Sequence, residues 1–142
     1  MSKTQADEFR GAKDFRDLEA WKWCRALRAD IEKRCREMPR HEQNRLADQM
    51  IRAARSVTAN LAEGFGRFHY LETIHSCRLA RGSLYELLDH LHVALDNGYV
   101  KKEEFSSYEA RVFSGIKLVN GLVRYLRKRR DGNQSTSKPV NR

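Results

Sequence analysis

Proline and long apolar runs are scarce in this sequence, and each absence restricts the fold. Only two prolines occur among the 142 residues, Pro39 and Pro139, so the long stretch between them is free of the residue that most strongly breaks helices. No apolar run approaches the roughly 20 residues that a membrane-spanning helix requires. The N-terminus lacks the apolar segment of a secretory signal. These absences predict a helical protein of the cytoplasm that does not enter a membrane.

Cysteine is also scarce, and its spacing fits neither a metal site nor a redox site. Cys24, Cys35 and Cys77 are odd in number and include no CxxC pair. Cys24 and Cys35 fall on one predicted helix at a separation of about 16 Å along its axis, which is too far for a disulfide. We expect all three to be small core residues in a reducing compartment.

Residues that could catalyse a reaction or hold a metal do not form a recognisable site. A di-metal bundle needs an ExxH pair on each of two helices. Here Glu72 and His75, and the similar pair Asp89 and His92, fall on the same predicted helix. The GFGR segment at 64–67 follows a helix and lacks the GK[ST] ending of a P-loop. With no nucleophile paired to a positioned histidine, we expect no enzyme, no metal and no cofactor.

Four amphipathic segments fill most of the chain. Apolar residues at helical spacing predict helices over residues 17–37, 41–63, 71–97 and 102–129. Joined by short turns, they predict an all-α, antiparallel, up-and-down four-helix bundle over residues 15–130. Residues 1–14 are expected to be a flexible lead-in, and residues 131–142 a disordered basic tail.

Each predicted helix carries an apolar stripe that should face the shared core. The predicted core residues, helix by helix, are Leu18, Trp21, Cys24, Leu27 or Arg28, Ile31 and Cys35; Met50, Ala53, Val57, Asn60 or Leu61, and Gly64; Ile74, Leu84, Leu87, Leu88, Leu91 and Leu95; and Phe105, Tyr108, Val112, Gly115 or Ile116, Val119, Leu122 and Leu126.

The stretch QMIRAARSVTANLAEGFGR, residues 49–67, is the predicted centre of the bundle because small side chains allow a neighbouring helix to approach closely. Those small residues are Ala53, Ala54, Ala59, Ala62 and Gly64. The amide of Asn60, in or beside the stripe, should need specific hydrogen-bond partners.

Four glycines in and after this stretch carry further predictions. Gly64 and Gly66 are expected to end the second helix, because glycine readily adopts a positive φ. Gly82, with Ser83, interrupts the third helix with small residues and is expected to pack against the alanine-rich face. Asn97 and Gly98 should end the third helix.

Trp21 and Trp23 cannot both face the core, since residues two apart on a helix point about 200° apart. One of them is therefore a candidate for a subunit interface. The alternative is that it lies flat on the surface beneath the side-chain stem of Lys22 or Arg25.

The net charge of +9 is unevenly distributed. Formal charges are +2 for residues 15–39, +2 for 40–69, −2 for 70–98 and +6 for 99–130. On the fourth helix, Lys117, Gly121, Arg124 and Lys128 are predicted to share a face away from the core. Such a surface attracts phosphates through counterion release. The candidate nucleic-acid-binding residues are Arg25, Arg28, Arg36, Arg45, Arg52, Arg55, Lys117, Arg124, Arg127, Lys128, Arg129 and Arg130.

Two other uses of the basic residues remain open. Cations at a helix C-terminus complement its dipole and improve solubility without binding any partner. Alternatively, the acidic third helix of one copy could face the basic fourth helix of another.

Two groups of residues form a recognisable signature. They are Pro39, Glu42, Leu46, Gln49, Arg52, Ala53, Ala54, Ser56, Asn60, Ala62, Glu63, Gly64, Gly66 and Arg67, then Ala80, Gly82, Ser83, Leu84, Glu86, Gly98 and Tyr99. This pattern resembles a family of small four-helix bundles that includes proteins encoded in intervening sequences of bacterial 23S ribosomal RNA genes and the accessory variability determinant of diversity-generating retroelements. The chain departs from the family pattern at Phe68-His69-Tyr70 and at residues 73–76.

The resemblance implies a non-enzymatic subunit that assembles as a homopentameric barrel with a basic surface. In the retroelement branch the barrel binds nucleic acid and a reverse transcriptase, and it is required for copying template RNA into mutagenised cDNA. The positive charge favours this branch. The expected partners are therefore RNA or DNA, a reverse transcriptase and other copies of the chain. The alternative is a protein of the ribosomal intervening-sequence branch, or a structural partner-binding bundle without a nucleic-acid role.

Overall fold

The computed structural model describes residues 11–137, with side chains up to residue 132. Within this range the chain forms four α-helices and no strand, which confirms the all-α prediction. No helix in the described range is long and apolar enough to cross a membrane. The helices are α1 (Glu19–Arg36), α2 (Leu46–Gly66), α3 (Tyr70–Asp96) and α4 (Lys102–Ser137), and short 3-10 helices at Phe15–Asp17 and Arg40–Glu42 precede α1 and α2.

The two 3-10 helices explain why α1 and α2 begin later than predicted. The carboxylate of Asp14 accepts a hydrogen bond from the backbone N–H of Arg16 at 2.8 Å, and this cap starts the first 3-10 turn. Before α2, the side-chain amide of Gln43 donates to the carbonyl oxygens of Cys35 (3.0 Å) and Met38 (2.8 Å). Because these carbonyls belong to the end of α1 and the turn after it, Gln43 ties the connection to the helix terminus.

The prediction that Gly64 and Gly66 end the second helix through a positive φ is correct only for the position of Gly66. Gly64 lies inside α2 and Gly66 is its last residue, but neither has a positive φ, and the left-handed residue in the following turn is Phe68, with φ of 58°. Gly64 serves a different purpose, because an added Cβ there would lie 2.7 Å from the Cβ of Ser76 on α3. Its lack of a side chain is what lets α2 and α3 approach. The prediction for α3 is confirmed, since Gly98 adopts a φ of 73° just after the helix.

The last helix is longer than the sequence pattern indicated. Helix α4 continues to Ser137, so residues 131–137 of the predicted disordered tail are helical. Residues 138–142, like residues 1–10 of the predicted lead-in, lie outside the described residues.

The predicted apolar stripes form the core, and the structure decides each open alternative. Leu27 is buried where Arg28 was the other choice, and Leu61 is buried where Asn60 was. Gly115 and Ile116 are both buried. Four predicted residues are less enclosed than expected, because Leu95, Tyr108 and Ala62 are half-buried and Ala59 is exposed.

Polar side chains also form hydrogen bonds between neighbouring helices of the bundle. The guanidinium of Arg28 on α1 donates to the hydroxyl of Thr58 on α2 at 2.8 Å. The hydroxyls of Ser56 on α2 and Ser83 on α3 are 2.8 Å apart. The amide of Asn60 bonds within its own helix, to the carbonyl and hydroxyl of Ser56. Asn60 therefore reaches α3 only through Ser56, and its expected partners are mostly local.

The prediction that Gly82 packs against α2 is also wrong. Gly82 is exposed, and no atom lies within 4 Å of the position that its Cβ would occupy. Its neighbour Ser83 makes the contact with α2 instead.

The two tryptophans separate as helix geometry requires. Trp21 is buried, with the guanidinium of Arg25 over its ring at 5.4 Å. Trp23 is 39% exposed, and its indole N–H donates to the backbone carbonyl of Arg111 on α4 at 2.9 Å. Trp23 thus joins α1 to α4 within one subunit, and its role at a subunit interface stays a prediction.

The three cysteines are buried free thiols, as predicted. Burial raises the pKa of Cys24 and of Cys77 to about 12, and that of Cys35 to about 11. A raised pKa lowers the fraction of reactive thiolate at any pH below it. We expect the native protein at pH 8 to resist a thiol-specific reagent such as DTNB for as long as it stays folded.

The control for this prediction is the same protein in guanidinium chloride, where all three thiols should react within minutes. Rapid stoichiometric labelling of the native protein would show that the thiols are accessible and the helices looser than described.

Candidate nucleic-acid interface

A group of exposed basic residues lies on the second half of α4. Lys117, Arg124, Arg127 and Lys128 are all exposed, and none makes an ion pair or a side-chain hydrogen bond with any described residue. Lys117, Arg124 and Lys128 are spaced by seven and four residues, so they share one face of the helix. Four unneutralised cations on one helix form a surface that attracts anions.

One predicted member of that face lies elsewhere. Gly121 is buried, although the sequence analysis grouped it with the exposed cations. It lies beside Leu122 and Val123, which are also buried, so the apolar surface of α4 is wider here than a single stripe. The cationic face consequently has a gap of about two turns between Lys117 and Arg124.

The arginines that follow on α4 are partly engaged. Arg129 hydrogen-bonds to Tyr70 at the start of α3, and this bond raises the pKa of the guanidinium. Arg130 contacts the adjacent carboxylate of Asp131 at 3.2 Å. Both arginines still add positive charge near Arg127 and Lys128, but Arg129 is also a link between α3 and α4.

Most candidate arginines of α1 and α2 are engaged inside the subunit. Arg52 pairs with Asp48 one turn earlier at 2.9 Å. Arg55 pairs across the helices with Glu32, and this hydrogen bond is the main reason that the pKa of Glu32 is lowered. Carboxylates so close to these guanidiniums reduce their attraction for phosphate.

The other four candidate arginines on or beside α1 and α2 differ in how exposed their side chains are. Arg28 is half-buried against Thr58, and Arg25 lies over the Trp21 ring. Arg36 and Arg45 are exposed. The structure therefore engages Arg25, Arg28, Arg52 and Arg55 inside the subunit. It leaves Arg36 and Arg45, like the four cations of α4, exposed and without an ion pair or side-chain hydrogen bond among the described residues.

A charged cleft of about 320 Å³ lies between α1 and α4, but its charges are balanced. Arg34 bonds to Glu104 at 2.6 Å, and this contact raises the pKa of the guanidinium. Arg111 bonds to Asp30 at 2.8 Å. Because each guanidinium is paired with a carboxylate, these ion pairs stabilise the contact between the two helices, and the cleft offers little attraction for a phosphate.

The residues considered for metal binding all lie on α3, but the pair Glu72 and His75 is separated from the pair Asp89 and His92 by 14 residues, about 21 Å along the helix. His75 is exposed and borders a shallow groove with Leu71 and Leu79. His92 packs against the ring of Phe105, with 4.5 Å between the ring centroids.

The predicted nucleic-acid-binding residues do not include several exposed side chains on and beside α3. Arg78 is exposed and has no side-chain partner among the described residues, while Arg81 donates to the side-chain oxygen of Asn120 at 2.7 Å. Tyr85 on α3 and Phe113 on α4 are both exposed and in contact. A signal was available, since Tyr85 and Phe113 immediately follow the core residues Leu84 and Val112 and therefore point away from the centre of each stripe.

Comparison with known proteins supports the resemblance described above. Residues 16–121 match the model of a family described as 23S rRNA-intervening sequence protein. No curated protein matches the chain significantly. The matched region contains α1, α2 and α3 entirely, and it ends before Arg124, so most of the free cations on α4 lie beyond it.

Proposed function

Because this chain belongs to the family of 23S rRNA-intervening sequence proteins, we propose that it is a nucleic-acid-binding scaffold and not an enzyme. The observation that carries the proposal is the group of free cations on α4, namely Lys117, Arg124, Arg127 and Lys128. Exposed cations without a carboxylate partner can replace the counterions around a phosphate backbone, and the release of those ions favours binding. No base contact is required for this attraction.

The full proposal places the protein in the retroelement branch of its wider family. In it, the four helices form an antiparallel up-and-down bundle, and five copies assemble into a barrel in the cytoplasm. The barrel binds the template RNA and the reverse transcriptase during mutagenic cDNA synthesis. The net charge of +9 and the sequence resemblance support this placement.

Assembly would strengthen the binding surface without any new contact. Each copy brings its own group of free cations, and copies held together bind one long polyanion through several contacts at once. A weak site on one subunit then becomes a strong site on the oligomer.

A second candidate is a partner-binding bundle with no nucleic-acid role, and a specific observation favours it. Leu71, Leu79 and Val93 on α3 are each more than a third exposed, and α3 is also the acidic helix. Such a surface could receive the basic α4 of another copy. In this case the free cations of α4 would be neutralised in the oligomer.

Salt-dependent binding to a structured RNA separates the two candidates. If the four free cations contact phosphates, the logarithm of the affinity should fall with the logarithm of the salt concentration with a slope of about −3 to −4. Absence of binding at low salt would overturn the nucleic-acid role and leave the partner-binding bundle. The retroelement branch has a separate test, since a neighbouring gene for a reverse transcriptase, with template and variable repeats, is expected beside this one.

A further inference from the structure

An exposed aromatic pair lies at the junction of α3 and α4. The rings of Tyr85 and Phe113 meet edge to face, with centroids 6.3 Å apart and an angle of 80° between the planes. Tyr85 is 51% exposed and Phe113 is 45% exposed, so neither ring belongs to the core. Their mutual contact holds two aromatic faces at a fixed position on the surface.

Side-chain contacts fix how α3 and α4 are aligned next to this pair. Arg81 on α3 reaches Asn120 on α4, and Tyr70, further toward the start of α3, reaches Arg129. Moving from Phe113 toward the end of α4 therefore corresponds to moving from Tyr85 toward the start of α3.

The cations on both helices continue from the aromatic pair in the same direction. Lys117 lies one turn after Phe113, and Arg124 follows, at about 16 Å from Phe113 along the helix. On α3, Arg81 lies one turn before Tyr85, and the exposed Arg78 comes next. We call this group of residues the aromatic-basic strip. It consists of Tyr85, Phe113, Arg78, Arg81, Lys117 and Arg124.

We propose that the aromatic-basic strip binds an unpaired segment of nucleic acid, with a base stacked on Tyr85 or Phe113 and the following phosphates on Lys117, Arg124 and Arg78. This inference rests on the proposed nucleic-acid role and specifies its substrate class. A positively charged track with aromatic rings is the usual arrangement for single strands, because every base has a face that can stack. A duplex keeps its bases stacked inside, so it can use only the cations.

Acidic residues limit the strip at its other end. Asp89 lies one turn beyond Tyr85 on α3, and Glu109 lies one turn before Phe113 on α4. Their carboxylates would repel a phosphate that passed the aromatic pair in that direction. The strand is therefore expected to run from the aromatic pair toward Arg124.

The charge around the pair argues for this occupant over a second copy of the chain. Lys117, Arg124 and Arg78 have no side-chain partner among the described residues, so the occupant must supply several anions, and the acidic α3 of a second copy carries a net charge of only −2 because its own Arg78 and Arg81 offset its carboxylates. A polyanion satisfies the cations and the rings together.

The test compares two single-stranded probes of equal length, an oligo-dT and the same strand with every base removed. Both carry the same phosphates, so only stacking distinguishes them. The wild-type protein should bind oligo-dT about tenfold more tightly or better. The double variant Tyr85→Leu/Phe113→Leu should lose this preference and keep its affinity for the abasic strand.

Two control variants accompany the double variant. Tyr85→Phe keeps the ring and should keep the preference, while Ser106→Ala changes an exposed residue of α4 outside the strip and should change nothing. Circular dichroism and gel filtration establish that helicity and oligomeric state are unaltered.

Each alternative result has a distinct meaning. Equal wild-type affinity for the two probes would overturn the stacking role while leaving phosphate binding intact. No wild-type binding to either probe would overturn the proposed function itself. Dissociation of an oligomer by the double variant would reassign the aromatic pair to an interface between copies.

Discussion

Replacing Gly64 with alanine is expected to destabilise the protein, whereas replacing Gly82 with alanine should stabilise it. Both glycines lie within helices, so alanine gains up to about 1 kcal/mol of helix propensity at either position. At Gly82 nothing lies within 4 Å of the new methyl group. The gain there should be retained almost fully.

At Gly64 the steric cost exceeds that gain. The new Cβ would lie 2.7 Å from the Cβ of Ser76 and 3.4 Å from the backbone carbonyl oxygen of Thr73. A Cβ cannot rotate away as the end of a flexible side chain can, so α2 and α3 must separate. Separation also strains the 2.8 Å hydrogen bond from the Thr73 hydroxyl to the Gly64 carbonyl. Overpacking of this kind costs about 1–3 kcal/mol.

Urea denaturation of the two variants and the wild type, at one protein concentration, measures both effects. A fixed concentration is needed because subunit association would contribute to apparent stability. The expected order of unfolding midpoints is Gly82→Ala above wild type and Gly64→Ala below it. If both variants were stabilised alike, α2 and α3 could not be in close contact at Gly64.

These two glycines also show what the sequence could and could not predict. Helical periodicity located the core, and it could have excluded Gly82, which lies two positions from the buried Ala80 and Leu84 and so points away from them. The close approach at Gly64 was not predictable in the same way, because it depends on which residue of α3 lies opposite. The positive φ of Phe68 likewise follows from how the helices are placed and not from a residue preference.

The positive charge of the candidate site was predictable from the sequence, but the ion pairs that its arginines form were only partly predictable. The Asp48 and Arg52 pair is four residues apart on one helix and can be read from the sequence. The pair of Glu32 and Arg55 joins two helices, so no local pattern reveals it. Distant pairing of this kind is why the sequence alone could not indicate which candidate arginines of α1 and α2 already have a carboxylate partner.

Changing Lys117, Arg124 and Lys128 together to glutamate is expected to abolish nucleic-acid binding while leaving the helices intact. These exposed side chains make no hydrogen bond or ion pair with another described side chain, so their replacement breaks no internal polar interaction. Each substitution removes an attraction for phosphate and adds a repulsion. We expect the affinity for structured RNA at low salt to fall about a hundredfold or more.

A matched control separates the position of these charges from their number. Lys22, Lys33 and Lys102 are exposed lysines outside the predicted binding set, and changing them to glutamate alters the net charge by the same amount. If binding depends on the location of the α4 cations, this control should retain most of its affinity, because long-range effects are weakened within a Debye length of about 10 Å at 0.1 M salt. Equal losses in both triple variants would mean that total charge attracts the RNA and that α4 holds no specific surface. Unchanged affinity of the α4 variant would move the binding surface to the side of α1 and α2. There Arg36 and Arg45 are exposed, whereas Arg52 and Arg55 would have to exchange their carboxylate partners for phosphate.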